Sequence, residues 1–208
     1  LKLSPNALQR TVEEMATRDC GPRLSIVEAP MGLGKTEAAL YVADFDLCTA
    51  SARGIYTALP TQATSNAMFT RVRDDYLADR GHSGRLDLQL VHGNAVLVEE
   101  YRDLEVSSVY DDDGRDDSGG SASARSWFPA RKRPLLAPFG VGTIDQSLLG
   151  VLQTRRWFVR LLGLANKSII FDEVHAYDAY TSTLPEHLIR WLAALDCTVV
   201  VLSATLPS

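Results

Sequence analysis

IIFDEVHAYD, residues 169 to 178, decides how this chain is read. Three apolar residues suited to a buried strand run straight into two acids, Asp172 and Glu173, where desolvation penalises charge most heavily. A strand that simply runs out into solvent would explain the pair. The sharper alternative is a divalent cation and a polyanionic ligand at that strand end, one acid holding the metal and the other acting on a water. The choice depends on what the rest of the chain brings there.

Working outward, APMGLGKT, residues 29 to 36, follows a short apolar strand, LSIVE (24 to 28), and leads into EAALYVADF, a helical stretch with no breaker. That is the setting of a phosphate loop. Gly32 and Gly34 let backbone N–H groups turn inward, the helix start adds its positive dipole end, Lys35 would reach the β- and γ-phosphates, and Thr36 would ligate magnesium. Ala29 stands where the general pattern has glycine, so the strict motif departs at one position. A phosphate loop needs a strand end that supplies a metal acid. Asp172 would then hold magnesium through water, and Glu173 would polarise the attacking water.

The alternation continues along the chain. RGIYTAL (53 to 59) reads as strand, TQATSNAMFTRVRDDYLA (61 to 78) as helix and LDLQLVHG (86 to 93) as strand, with a short helix from Asn94. LLAPF restarts the sheet, helical material fills 144 to 165, SIIFDE (168 to 173) is a strand, TLPEHLIRWLAAL a helix, and CTVVVLSAT (197 to 205) the last strand. Strands separated by helices predict a parallel sheet covered on both faces. At the N-terminus, Ser4-Pro5 reads as a cap and first-turn proline of a helix carrying Leu8, Val12 and Met15 on one side.

At 208 residues and 46% hydrophobic, the chain can bury an ordinary core within one domain or one large α/β unit. Its net charge of -5 is concentrated: residues 99 to 117 carry nine acids against Arg102 and Arg115, which leaves the remainder at +2. A local phosphate-binding face is therefore compatible with the acidic balance. Residues 103 to 126, rich in Asp, Ser and Gly, read as a flexible acidic surface insertion rather than a metal site, because the acids lack ligand spacing. Cys20, Cys48 and Cys197 are odd in number and far apart, which fits a reducing, cytoplasmic setting with neither disulfides nor zinc. No apolar run approaches a membrane span. The chain opens on Leu1, which suggests a piece of a longer polypeptide or a processed one.

ALPTQ (58 to 62) and VGTIDQ (141 to 146) are strand ends followed by helix starts. Thr61 and Thr143 are placed to cap those helices; alternatively, exposed N–H groups and hydroxyls there grip successive phosphates of a nucleic-acid strand without reading sequence. His175 lies two residues beyond Glu173, within range of a γ-phosphate, although a lone histidine after a strand is commonly a surface or capping residue. His82, His92 and His187 take that plain reading. Ser203, Ala204 and Thr205 end the last strand, where they could touch both the acid site and the strand-binding side.

Taken together these stretches resemble the superfamily 2 helicases: APMGLGKT their motif I, ALPTQ motif Ia, GTIDQ a later strand-contact motif, DEVH motif II and SAT motif III. More narrowly, DEVHAYD, VGTIDQSLLGVL and LSATLP resemble the helicase portion of the CRISPR-associated helicase-nucleases of type I interference systems. The resemblance implies an α/β fold of RecA-like P-loop type over residues 1 to 208, forming the first motor domain. The second motor domain, with its arginine finger, and the nuclease domain would be absent from this chain. It implies ATP and Mg2+ as cofactors, with Gln9 reading adenine and Met31, Gly32, Leu33, Gly34, Lys35 and Thr36 around the phosphates. Pro60, Thr61, Gln62, Gly142 and Thr143 would meet single-stranded DNA, and Ser203, Ala204 and Thr205 would couple the two ligands. A guide-RNA surveillance complex would recruit the whole protein. Competing readings are a motor of the same superfamily acting on RNA or in repair, another P-loop ATPase, and a nucleotide-binding docking module without turnover. The absence of an LSGGQ-like signature speaks against a transporter-type ATPase.

Overall fold

The computed structural model describes residues 4–18, 21–49, 51–77, 86–92, 122–123, 134–152, 157–173 and 183–204. Seven strands, β1 (Leu24–Glu28), β2 (Ile55–Leu59), β3 (Leu86–Val91), β4 (Ala122–Ser123), β5 (Phe139–Thr143), β6 (Ser168–Phe171) and β7 (Thr198–Ser203), line up in the order β1-β7-β6-β2-β5-β3-β4. Every pairing is parallel. Strands β2, β5, β6 and β7 are buried at every position, the signature of strands covered on both faces.

Alternation sorts their side chains into two cores. Ile55, Leu59, Ile170, Val200 and Leu202 face α1 (Ala7–Arg18), α2 (Lys35–Cys48) and α3 (Gln62–Arg71). Tyr56, Ala58, Ile169, Phe171, Val199 and Val201 face α4 (Ile144–Val151), α5 (Trp157–Leu164) and α6 (Thr183–Ala194). The expected α/β arrangement is present, and its parallel direction brings the strand ends that follow β1, β2, β5, β6 and β7 to one rim of the sheet. None of the described helices is long and apolar enough to cross a membrane.

Four local expectations change. The first helix begins at Ala7 and is capped by Asn6, whose Oδ1 accepts the Gln9 N–H at 2.9 Å while Gln9 Oε1 accepts the Asn6 N–H at 3.0 Å. This reciprocal box displaces Ser4 as cap. On that helix Val12 and Ala16 are buried with Leu8 packed beside them, whereas Met15 is 54% exposed. Leu135 and Leu136, expected as strand within LLAPF, lie in a 3-10 turn over Pro134–Leu136, and β5 starts only at Phe139. The helix after Thr61 changes to π-helical geometry over Val72–Leu77. Of the acidic insertion, Ala122 and Ser123 pair with Leu86 and Asp87 as β4, and the remainder lies outside the described residues, as does the expected helix from Asn94.

Candidate functional site

β1 hands the chain to the phosphate loop at Ala29, whose N–H donates to the Ser203 carbonyl at 3.2 Å and so ties the loop to the end of β7. The loop then turns through Gly32 and Gly34, with φ of 80° and 73°. This left-handed region penalises any residue with a Cβ. Gly34 is the N-cap of α2, and a Cβ there would lie 2.5 Å from Gln9 Nε2. Lys35 Nζ folds back to donate to the Ala29 carbonyl at 2.5 Å and the Pro30 carbonyl at 3.1 Å. Two backbone oxygens thus mark where its ammonium rests without a stronger anion.

Beside it, β6 ends at Phe171 and delivers Asp172, only 9% exposed. The Asp172 N–H donates to the Ala58 carbonyl of β2 at 3.0 Å, its Oδ1 accepts the Glu173 N–H at 2.9 Å, and its Oδ2 accepts from the Thr36 hydroxyl at 3.2 Å. Glu173 adopts φ of 55°, unusual for a non-glycine residue, and this sharp exit from the strand sets its carboxylate on the same cavity wall. The cavity measures about 420 Å³ and is bordered by Met31, Gly32, Gly34, Lys35, Thr36, Asp172, Glu173, Ser203 and Ala204, all expected from sequence, whereas Leu33, expected with them, is 44% exposed and does not border it. A volume of this order suits a nucleotide-sized ligand.

The oxygen donors suit a hard divalent cation. A hydroxyl and a carboxylate meet at 3.2 Å on one side of an open cavity, and no described cluster of three or more His, Cys, Asp or Glu forms a closed protein cage. That is the donor set magnesium uses when waters and phosphates fill its other positions.

Gln9 abuts this site from α1. Its Nε2 donates to the Gly34 carbonyl at 3.4 Å, and Asn6 Nδ2 donates to the Leu33 carbonyl at 2.9 Å. The N-terminus of α1 therefore braces the phosphate loop. Asn6 carries no motif signal, and only the folded chain reveals it. Glu37 and Arg71 also border the cavity and pair with each other, 34 residues apart.

The two strand-contact stretches end neighbouring strands, with Ala58 opposite Gly142 and Leu59 opposite Thr143. Their threonines differ. Thr61 forms a capping box with Thr64: its Oγ1 accepts the Thr64 N–H at 3.1 Å, and Thr64 Oγ1 accepts the Thr61 N–H at 3.3 Å. Pro60 is half-buried, while Thr61 and Gln62 are exposed at the rim. Thr143 occupies the N-cap position of α4 without a side-chain cap bond and is 5% exposed, so the expected exposed hydroxyl is absent there. Gly142 has a packing reason: a Cβ would lie 2.3 Å from the Val91 carbonyl and 2.8 Å from the Tyr56 hydroxyl. Tyr56 crosses this glycine-lined strand and donates to the Thr143 carbonyl at 3.1 Å. His92 hydrogen-bonds Asn66 Oδ1 at 2.7 Å, in keeping with its structural reading. His175 and Thr205 lie outside the described residues.

No family model matches the chain. Among curated proteins it is 52% identical over 203 residues to the CRISPR-associated endonuclease/helicase Cas3 of Thermus thermophilus, covering 98% of this chain and 22% of that protein. It is 40% identical over 206 residues to the Cas3 nuclease/helicase of Streptococcus thermophilus, again with 99% and 22% of the two chains covered. The crystal structure of T. fusca Cas3 superposes with a TM-score of 0.84 at 41% identity over 99% of this chain and 22% of that one, and an ATP form of that protein gives 0.79. A CRISPR RNA-guided surveillance complex in a pre-nicking state contains a chain matching at 36% identity and a TM-score of 0.66, over 97% of this chain and 18% of its own. The chain thus spans about a fifth of the relatives it matches. At 52% and 40% identity over nearly its whole length, and with its parallel sheet superposing on that of T. fusca Cas3, the chain belongs to the Cas3 family of CRISPR-associated helicase-nucleases.

Proposed function

We propose that this chain is the nucleotide-binding half of an ATP-dependent single-stranded DNA translocase acting in CRISPR interference. The observation that carries the reading is the Thr36–Asp172 hydrogen bond, which joins the phosphate loop and the acidic strand end across 136 residues in one cavity. The ATP form of the T. fusca protein supports the choice of nucleotide. In this reading Lys35 exchanges its two loop carbonyls for phosphate oxygens, Thr36 and Asp172 hold magnesium, and Glu173 orients the attacking water as its base. Magnesium, when bound, neutralises charge on the phosphates. His175 is kept as a candidate near the γ-phosphate, and Gln9 as the adenine reader.

DNA would run across the rim formed by the ends of β2 and β5. Because Thr61 spends its hydroxyl and N–H on its own cap, the groups offered to phosphate there are the first-turn N–H groups of Gln62 and Ala63. Ser203 and Ala204, between the two sites, would couple them, with Thr205 beyond. The guide-RNA surveillance complex as recruiting partner and a cytoplasmic setting belong to the same proposal; the matching chain inside such a complex supports the first. Titration calorimetry tests the site: ATP should bind the purified chain only with magnesium, and Lys35→Ala should weaken it at least tenfold, a charge-assisted contact being worth about 1.5–3 kcal/mol. Equal affinity in the two proteins would remove the assignment.

A further inference from the structure

Arg71 is the last residue of α3 and borders the cavity, although no motif marks it. Its guanidinium is paired with Glu37 in the first turn of α2, with 40% and 30% of the two side chains exposed. Directly after Arg71 the helix becomes π-helical over Val72–Leu77, a rare geometry found disproportionately at functional sites and able to re-aim neighbouring side chains. Glu37 sits against the phosphate loop, since a Cβ on Gly34 would lie 3.4 Å from its Oε2. Glu37, Asp172 and Glu173 therefore border the same cavity as the cations Lys35 and Arg71. Asp172 belongs with Thr36, and Lys35 rests on loop carbonyls. Glu37 alone would repel an incoming triphosphate. With Arg71 on it, the same corner holds a planar fork of donors that suits phosphate oxygens as well as it suits a carboxylate, so a multiply charged phosphate can compete with Glu37 for it.

We propose, building on the nucleotide site proposed above, that Arg71 is a second phosphate-binding cation of that site, supplied in cis. Glu37 parks the guanidinium in the free protein, and a bound nucleoside triphosphate draws it onto phosphate oxygens. The helix that carries Arg71 begins next to Thr61, at the rim where DNA is proposed to bind, so one rigid element of about 15 Å has a ligand at each end.

The test is calorimetric titration of the purified chain with ATP and magnesium, comparing the unmodified protein with Arg71→Ala, Glu37→Gln and Lys35→Ala. Arg71→Ala should weaken ATP about tenfold or more. Glu37→Gln breaks the same ion pair but frees the guanidinium, and should tighten ATP about twofold to fivefold. A pair that only ties α2 to α3 predicts losses of the same sign and size in both variants. That result, or unchanged ATP affinity in Arg71→Ala, overturns the proposal. Arg71→Lys, which keeps the charge without the fork, should give intermediate affinity and replaces the alanine variant if circular dichroism shows that one unfolded. Normal ATP binding by Lys35→Ala, or none by the unmodified chain, would instead overturn the nucleotide site itself and this proposal with it. Loss in Lys35→Ala alone overturns only the role of Arg71.

Discussion

Glu173 and Lys167 are single residues in unlike surroundings, one at the cavity and one in the core. Glu173 stands at the cavity on a left-handed backbone, while the proposed metal position belongs to Thr36 and Asp172. Glu173→Gln should therefore bind ATP within about twofold of the unmodified chain while removing the base that hydrolysis needs; a tenfold loss of affinity would assign it to the metal instead. Gly34→Ala should fail twice over, through about 1–2 kcal/mol of left-handed strain and through displacement of the Gln9 amide, and both the melting temperature and ATP affinity should drop. Lys167 is 2% exposed, donating to the Leu135 and Ala137 carbonyls at 2.7 and 2.5 Å. Burial first, and then the nearby Arg53 charge, push its ammonium down to about 7. In the unfolded chain it titrates near 10.5, so between about 7 and 10.5 the unfolded state holds the extra proton, and stability rises with pH across that window. Relative to Lys167→Met, the urea midpoint of the unmodified chain should climb from pH 7 to pH 10. A pH-independent difference would exclude this linkage.

Among the elements, α2 is held at both ends by different chemistry. Its start belongs to the phosphate loop, and its last turn contains Asp46, fully buried, which pairs with Arg23 at 2.9 Å and accepts the Ser168 hydroxyl at 3.0 Å. Asp46→Ala removes the buried carboxylate that Arg23 and the Ser168 hydroxyl share and should cost about 3–5 kcal/mol in denaturant unfolding. A cost below 1 kcal/mol would show that Arg23 finds other partners. At α3 the question is which function Thr61 serves. Its capping box predicts a loss of about 1 kcal/mol of stability in Thr61→Ala, with little change in DNA affinity once the folded fraction is accounted for. A large drop in DNA binding by a fully folded Thr61→Ala protein would return the hydroxyl to the strand-contact surface. These assignments were out of reach before the fold was known. Asp46 falls in no sequence motif, and a threonine before a helix fits a cap and a phosphate grip equally well.

For the whole molecule, DNA binding through helix ends at one sheet rim should be weak, indifferent to base sequence and steeply reduced by salt; filter binding of unrelated oligonucleotides at 50 and 200 mM salt checks this. Turnover is the larger question. In the proposed half-motor, transition-state charge is met by an arginine of a second domain, an effect worth roughly 10³ to 10⁵ in rate in related phosphoryl transfers. The chain alone should thus hydrolyse ATP at a small fraction of the rate of a protein extended through that domain, even with saturating DNA, and comparable rates would show that residues 1–208 hold a complete site. Much of this was legible locally. Glycines at the two left-handed positions, a lysine and threonine at a helix start, fully apolar strand runs and acids at a strand end each declare their chemistry within a few residues, so the parallel α/β class and most of the cavity wall followed from the sequence. Tertiary structure alone decided which strands are neighbours, and with them the meeting of Thr36 and Asp172, the burial of Thr143, the brace from Asn6 and the Glu37–Arg71 pair beside the phosphate loop. Those depend on contacts between residues up to 136 positions apart, where burial and the closing of long loops, rather than local preference, set the outcome.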